Sequence, residues 1–256
     1  MKTSKALFFS AAFLLLTALF CPTTAVGQKT WEINMGFILP LGDFGDGNYN
    51  QSTGASDIAV FDYGENGAAD MGVGIGVGTY IPWATDNMYF CLRGDFLYTW
   101  LSSVASHYLD DVSDYLDQTY GGGFMTKRIP KYFNIPIMVG VRYKIPLREE
   151  QAFFFEGEAG LNFRYITKYK CESDNIELVF DYESANTFMF RVGFGFQVKK
   201  NISFSLYYYD LGKSEVVLTT RTTINDGTNG SYTNNGFFDG NKLHTTLATL
   251  GLNISF

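Results

Sequence analysis

Apolar and polar residues alternate with a period of two in eight separate stretches of this chain. The stretches are Thr30–Leu41, Met71–Ile81, Met88–Leu101, Lys131–Ile145, Ala152–Tyr165, Asn186–Lys199, Ile202–Leu211 and Leu243–Phe256. Successive side chains of a strand point to opposite faces, so each stretch predicts a β-strand with one apolar face. In the second stretch Val73, Ile75 and Val77 form that face, and Gly72, Gly74, Gly76 and Gly78 form the other. In the sixth, Phe188, Phe190, Val192, Phe194 and Phe196 stand opposite a face that carries Arg191. Each stretch is long enough for a tilted strand to cross a bilayer core, which takes about 9–11 residues.

The connections between the stretches alternate in length. Residues 82–87, 146–151 and 199–201 are short; residues 42–70, 102–130, 166–185 and 212–242 are long and rich in Gly, Asn, Asp, Ser and Thr. An eight-stranded antiparallel up-and-down transmembrane β-barrel has this pattern, with short turns in the periplasm and long loops outside. Both termini then lie in the periplasm. Tyr80, Tyr143, Tyr165, Trp31, Trp83 and Trp100 fall near strand ends, as aromatic girdles do. Alternation alone does not say which face points outwards. A soluble sandwich or lipocalin-like barrel buries its apolar face instead.

The two ends of the chain favour the membrane barrel. Lys2 and Lys5 precede the uncharged apolar run Ala6–Phe20, and Ala25 and Gly27 are small residues at the spacing of a signal-peptidase site. The expected division is a cleaved signal peptide at residues 1–27 and a barrel at residues 28–256. Cys21 follows the bulky Phe20, where lipidation needs a small residue, so a lipid anchor is not expected. The last stretch alternates through Leu252, Ile254 and Phe256 and stops on the aromatic ring. A closing strand must pair with the first strand to leave no edge in the membrane. These three residues therefore read as an assembly signal, with the barrel assembly machinery as its partner.

Composition narrows the function. Removing Lys2 and Lys5 leaves 17 of the 19 basic residues against 26 acidic ones, a net charge of −9. Nucleic-acid binding needs a basic face and is not expected. Aromatic residues make up 17% of the chain, yet mean hydropathy is near zero, as when a lipid face and a polar face average out. After the leader no run is long and apolar enough for a transmembrane helix. Cys91 and Cys171 fall at opposite ends of the strand map, so both are expected as free thiols. Neither has the spacing of a metal site. No cofactor is expected.

The segment Gly36-Phe37-Ile38-Leu39-Pro40-Leu41-Gly42-Asp43-Phe44, with Tyr132-Phe133-Asn134-Ile135-Pro136-Ile137, resembles the outer-membrane β-barrel domain family ("porin family") common in Bacteroidetes. The resemblance covers the mature chain. It implies the barrel fold and an outer-membrane location. Most members of that family have no assigned activity, and some are accessory to protein secretion.

The inward face carries charge: Glu32, Arg93, Asp95, Arg142, Lys144, Glu156, Glu158, Arg164 and Arg191. Eight strands enclose a lumen just wide enough for side chains to fill. Buried charges are tolerable only when paired. Consistent register sets Arg142 beside Glu156, and Arg93 and Asp95 opposite Gly78 and Gly76. The expected result is a salt-bridged plug, with a gated ion path as the alternative.

Two further features bear on activity. His107 and His244 are the only histidines; His107 lies in a Ser-rich loop and His244 at the outer end of the last strand. A lipid-modifying hydrolase needs a nucleophile–base–orienter geometry that these positions do not by themselves supply. In the second long loop, Val104, Tyr108, Val112 and Tyr115 recur at helical spacing, with Asp110, Asp111, Asp114 and Asp117 largely on another face. That acidic face is either solvated or a divalent-cation contact to lipopolysaccharide or a partner; it lacks an EF-hand pattern. The sequence thus predicts a non-enzymatic barrel with a structural or surface-interaction role through its four long loops. Its expected partners are outer-membrane lipid and lipopolysaccharide, and an extracellular or secretion-system protein. The alternative role is a narrow channel or accessory subunit of a secretion machine.

Overall fold

A computed structural model describes residues 29–45, 68–83, 85–103, 122–215, 217–225, 231–238 and 242–256, with isolated positions between 106 and 118. Eight strands form a closed barrel: β1 (Thr30–Leu41), β2 (Ala69–Trp83), β3 (Thr85–Leu101), β5 (Tyr132–Pro146), β6 (Ala152–Ile166), β9 (Ala185–Lys199), β10 (Ile202–Glu215) and β13 (Lys242–Ser255). Each barrel strand pairs antiparallel with the strands before and after it, and β1 pairs with β13 to close the ring. At the seam the backbones of Trp31 and Phe256 exchange hydrogen bonds of 3.0 and 2.9 Å. Closure leaves the barrel no open edge, the condition for a sheet to span hydrocarbon.

The faces are the reverse of those in a soluble barrel. Phe37, Phe188, Leu250, Phe155 and Phe194 point outwards and are more than half exposed. Glu32, Arg93, Asp95, Arg142, Glu156, Glu158 and Arg191 point inwards and are buried. An apolar exterior around a charged interior is stable only in lipid. The fold is therefore a transmembrane eight-stranded β-barrel, and the soluble reading is discarded.

Where β2 faces the lumen, Gly72, Gly74, Gly76 and Gly78 leave space for the side chains of β3. The cross-strand pairs are Gly76 with Asp95 and Gly78 with Arg93, as the turn register predicts. The long connections hold more structure than their polar composition suggests. β4 (Met125–Arg128), β7 (Tyr169–Glu172), β8 (Ile176–Tyr182), β11 (Leu218–Asn225) and β12 (Ser231–Phe238) form a second sheet in the order β12-β11-β8-β7-β4. These strands come from three different connections: β7–β8 and β11–β12 are local hairpins, and β8–β11 and β4–β7 pair across the barrel mouth to join them. A short helix, α1 (Gly42–Gly45), follows β1 and buries Phe44 against Tyr132, with ring centroids 5.0 Å apart.

Buried residues of the barrel end next to the long connections and of the second sheet belong to one apolar core. Ile38, Leu97, Met138, Met189 and Leu247 from the barrel join Leu109, Phe124, Tyr169, Phe180 and Tyr182 from the connections. The second sheet is thus packed down as a roof over one end of the lumen. Cys91 and Cys171 are both buried free thiols, one in a barrel strand and one in this roof.

Candidate functional site

The lumen is layered along the barrel axis. Asn34, two residues beyond Glu32 on β1, bonds to Asn253, whose Nδ2 reaches Ser203 Oγ at 3.2 Å; towards the short turns Lys144 Nζ donates to Gln197 Oε1 at 3.2 Å. The ionic network lies above this last pair, and the apolar roof lies above the network.

Seven strands feed the network. Arg142, from β5, donates Nη1 to Glu32 Oε2 at 2.8 Å and Nη2 to Glu32 Oε1 at 2.9 Å, a two-pronged pairing with a β1 residue. The same guanidinium donates Nη2 to Glu156 Oε2 at 2.9 Å and packs over the Tyr80 and Phe154 rings at 3.7 and 4.2 Å. Arg93 donates Nε to Asp95 Oδ1 at 2.7 Å, and its Nη1 lies 3.5 Å from Glu32. Arg191 Nη2 lies 2.8 Å from Glu156 Oε1 and 2.6 Å from Glu158 Oε2, with the guanidinium 3.9 Å from the Tyr207 ring centre. Desolvating so many charges is costly unless each is matched. Three guanidiniums face four carboxylates, and the lattice bonds most of their polar atoms, with Arg93 Nη2, Arg191 Nε and Glu158 Oε1 left without a hydrogen-bond partner among the described residues.

All six charges assigned to the lumen network (Arg93, Asp95, Arg142, Glu156, Glu158 and Arg191) are brought together, and Glu32 joins them. Lys144 and Arg164 are not part of it. Lys144 sits at the turn end, and Arg164, near the roofed end of β6, donates Nη2 to the Glu215 carbonyl at 3.3 Å. Three tyrosines escaped the sequence reading. Tyr80, placed there in the aromatic girdle, is buried in the lumen and donates its hydroxyl to Glu156 Oε1 at 3.0 Å or Glu32 Oε1 at 3.1 Å. Tyr207 donates to Glu156 Oε2 at 2.7 Å and Tyr209 to Asp95 Oδ2 at 2.8 Å. Strand parity was the missed signal: Tyr80 shares the face of Gly76 and Gly78, and Tyr207 and Tyr209 lie opposite the outward Leu206 and Tyr208. Cys91 Sγ lies within 4.8 Å of ligand atoms of Glu156 and Glu158, but the cations facing these carboxylates are Arg142, at Glu156, and Arg191, at both.

The remaining candidates lie elsewhere. Leu252, Ile254 and Phe256 stand in one outward row on β13 and just past its end. In the second long connection Asp110, Asp114 and Asp117 are helical and exposed, whereas Asp111 and the Val104, Tyr108, Val112 and Tyr115 stripe lie outside the described residues. Leu109 and Ser113 are buried beside this acidic face, and Tyr169 donates its hydroxyl to the Leu109 carbonyl at 3.3 Å. Asp117 Oδ1 accepts from the backbone of Gly123 at 2.6 Å and Phe124 at 3.3 Å. Gly123 has φ of +68°, which favours glycine, so Asp117 holds a tight turn leading into β4. Asp117→Ala should therefore raise amide hydrogen exchange across residues 122–128. Asp110→Asn and Asp114→Asn should leave it unchanged, with or without calcium. Calcium-dependent protection lost in the Asn variants would restore the cation reading.

In the second sheet Lys170 Nζ bridges Glu172 at 2.8 Å and Glu177 at 3.1 Å. The hydrogen bond from Lys170 holds the Glu172 carboxyl below the ordinary carboxylate value. This support is complete above the ordinary carboxylate range and is lost as pH falls through the lowered value. His107 lies outside the described residues. His244 faces outwards with Nε2 2.9 Å from Asp210 Oδ1, and among the described residues no serine hydroxyl is bonded to its ring. The imidazole–carboxylate pair is present, but no nucleophile is bonded to it.

These features define a class: a transmembrane β-barrel with a side-chain-filled lumen and a sheet folded over one mouth. No family profile and no curated protein sequence matches the chain. Among solved structures the chain is similar, at low identity, to several bacterial proteins. The attachment invasion locus protein Ail of Yersinia pestis is 12% identical, with 90% of this chain and 100% of that one covered and a TM-score of 0.40. OprG from Pseudomonas aeruginosa is 13% identical, with coverage of 89% and 95% and a TM-score of 0.41. A major outer membrane protein from Thermus thermophilus is 12% identical, with coverage of 90% and 100% and a TM-score of 0.45.

Proposed function

We propose that this chain is a non-enzymatic outer-membrane protein, with both termini in the periplasm, that acts through the folded surface above its barrel. The carrying observation is the lumen: a buried, ion-paired layer lies beneath an apolar roof shared with the five-stranded sheet. A filled lumen leaves the roof sheet and its connections as the surface open to other molecules. Loops on a rigid scaffold commonly carry recognition. The length asymmetry of the connections supports placing the sheet outside the cell. The outward row Leu252, Ile254 and Phe256 serves in this reading as the handle for the assembly machinery. The resemblance carried by Gly36–Phe44 supports a place among outer-membrane β-barrel domains of the Bacteroidetes type.

The purified barrel in a planar bilayer should show no steady conductance at neutral pH. A cysteine introduced at Lys127 should react with a membrane-impermeant maleimide in intact cells. Stable single-channel steps would favour the channel role instead, and labelling only after the outer membrane is opened would reverse the orientation.

A further inference from the structure

The outer wall of the barrel is not uniform. Across β13, β1, β2 and β3, two successive rungs of outward side chains enclose an apolar groove of about 720 Å³. One rung is Leu252, Met35, Ile75 and Phe96; the next is Leu250, Phe37, Val73 and Tyr98. Between them the floor is the bare backbone of Gly251, Gly36 and Gly74, which face one another across three strands. On the lumen side this rung is filled: a Cβ on Gly251 would lie 2.5 Å from Asn34 Nδ2, and one on Gly74 3.0 Å from Leu97. The groove thus opens only towards lipid. Its volume lies within the roughly 300–1,000 Å³ of sites that hold discrete ligands.

One end of this groove is charged. Tyr98 lines it and also carries the Lys131 ammonium 5.8 Å from its ring centre. Trp100 and Phe133 each lie 5.0 Å from the Tyr98 ring, forming an aromatic cluster on the outer wall at the roofed end of the barrel. Such clusters mark the headgroup level of a bilayer. The backbone of Lys131 is fixed by its N–H to Thr167 Oγ1 at 2.9 Å. Among the described residues its ammonium has no carboxylate partner. Lys168, one residue beyond Thr167, is already matched by Asp181 at 2.5 Å. Asp70, at the outer end of β2, accepts the N–H of Met71 at 2.7 Å.

We propose that this groove and Lys131 form one site for a phosphorylated glycolipid of the outer leaflet, with an acyl chain on the glycine floor and a phosphate oxygen accepting from Lys131 Nζ. The groove supplies apolar contact, and the cation lies at the depth where a lipid changes from chain to headgroup. A neutral lipid satisfies only the first half of the site. The leaflet assignment rests on the orientation proposed above; the juxtaposition of groove and cation does not.

The test is native mass spectrometry of the folded barrel in detergent, titrated with diphosphorylated lipid A, the same lipid stripped of phosphate, phosphatidylglycerol and inorganic phosphate. Lipid A should be retained in a 1:1 complex in preference to its dephosphorylated form. Lys131→Gln should reduce that preference about tenfold, the loss of one charge-assisted hydrogen bond. Val73→Trp, which fills the groove, should weaken both lipids, whereas Phe188→Trp on the far wall should weaken neither. Heat-modifiable migration identifies folded variants; if Val73→Trp does not fold, Lys131→Gln still decides. Equal retention with and without phosphate, indifference to Lys131→Gln, tighter phosphatidylglycerol binding, or equal affinity for inorganic phosphate would each overturn the site. The assay requires no assigned orientation, so its failure is separable from a failed labelling experiment at the cell surface.

Discussion

Arg142→Ala should destabilise the barrel by about 3–5 kcal/mol, the usual cost of removing one partner from a buried ion pair. The cost should fall at the upper end, because this guanidinium serves two carboxylates. Glu156 keeps Arg191 at 2.8 Å and the Tyr207 hydroxyl at 2.7 Å after the loss. Glu32 keeps only Arg93 at 3.5 Å and the hydroxyls of Tyr80 and Ser255. The larger coupling should therefore appear between Arg142 and Glu32, although Arg142 and Glu156 are the direct cross-strand neighbours. Urea unfolding in lipid vesicles, followed by gel mobility, gives both double-mutant cycles. Arg142→Lys should recover only part of the loss, since an ammonium cannot reproduce the fork that grips Glu32 while also reaching Glu156. Zero coupling in both cycles would mean that water, rather than Arg142, balances these carboxylates.

A second large effect should separate two glycines on the same face of β2. At Gly76 an added Cβ would lie 1.8 Å from Asp95 Oδ1 and 3.0 Å from Arg93 Nη2, which no flexing of the strand can absorb. Gly76→Ala must displace Asp95 from Arg93 and from Tyr209. Overpacking alone costs about 1–3 kcal/mol, and a displaced buried carboxylate adds to that. At Gly78 the nearest atoms to a new Cβ are the Leu92 carbonyl oxygen at 3.5 Å and Arg93 Cγ at 3.6 Å, ordinary contacts. Gly78→Ala should fold with wild-type stability. Both variants keep the outer surface unchanged, so a difference in unfolding midpoint reads the lumen directly. Equal midpoints would show that the network slides to make room.

The eight spanning strands were legible because period two is imposed twice, by lipid outside and by the lumen inside. Predicted and observed limits agree closely: Thr30–Leu41 coincides with β1, and Ala152–Tyr165 differs from β6 by one residue. The largest difference is in β10, which continues past a bulge between Asp210 and Lys213 to Glu215, with Gly212 at φ of +83°. A bulge breaks strict alternation, so the pattern stops there while the strand does not. The roof sheet was illegible for a different reason. β7–β8 and β11–β12 are local hairpins, but the pairs that join them into one sheet, β8 with β11 and β4 with β7, are each separated by a barrel hairpin, so no local window shows the sheet.

Parity along each strand determines which charges enter the lumen, and the register across the turn at 146–151 determines that Arg142 lies beside Glu156. Those two facts come from sequence because hydrogen-bonded hairpins transmit register residue by residue. Contacts across the lumen are not transmitted this way. The pairing of Arg142 with Glu32, 110 positions apart, depends on closure of the ring, which brings β1 around to face β5. The place of Tyr80, Tyr207 and Tyr209 among the carboxylates depends on the same closure. Sequence alone determined the strands, their faces and the charge content of the interior. Tertiary structure decided which charges meet and what covers the mouth, because only a closed barrel fixes distances between side chains that no backbone ladder connects.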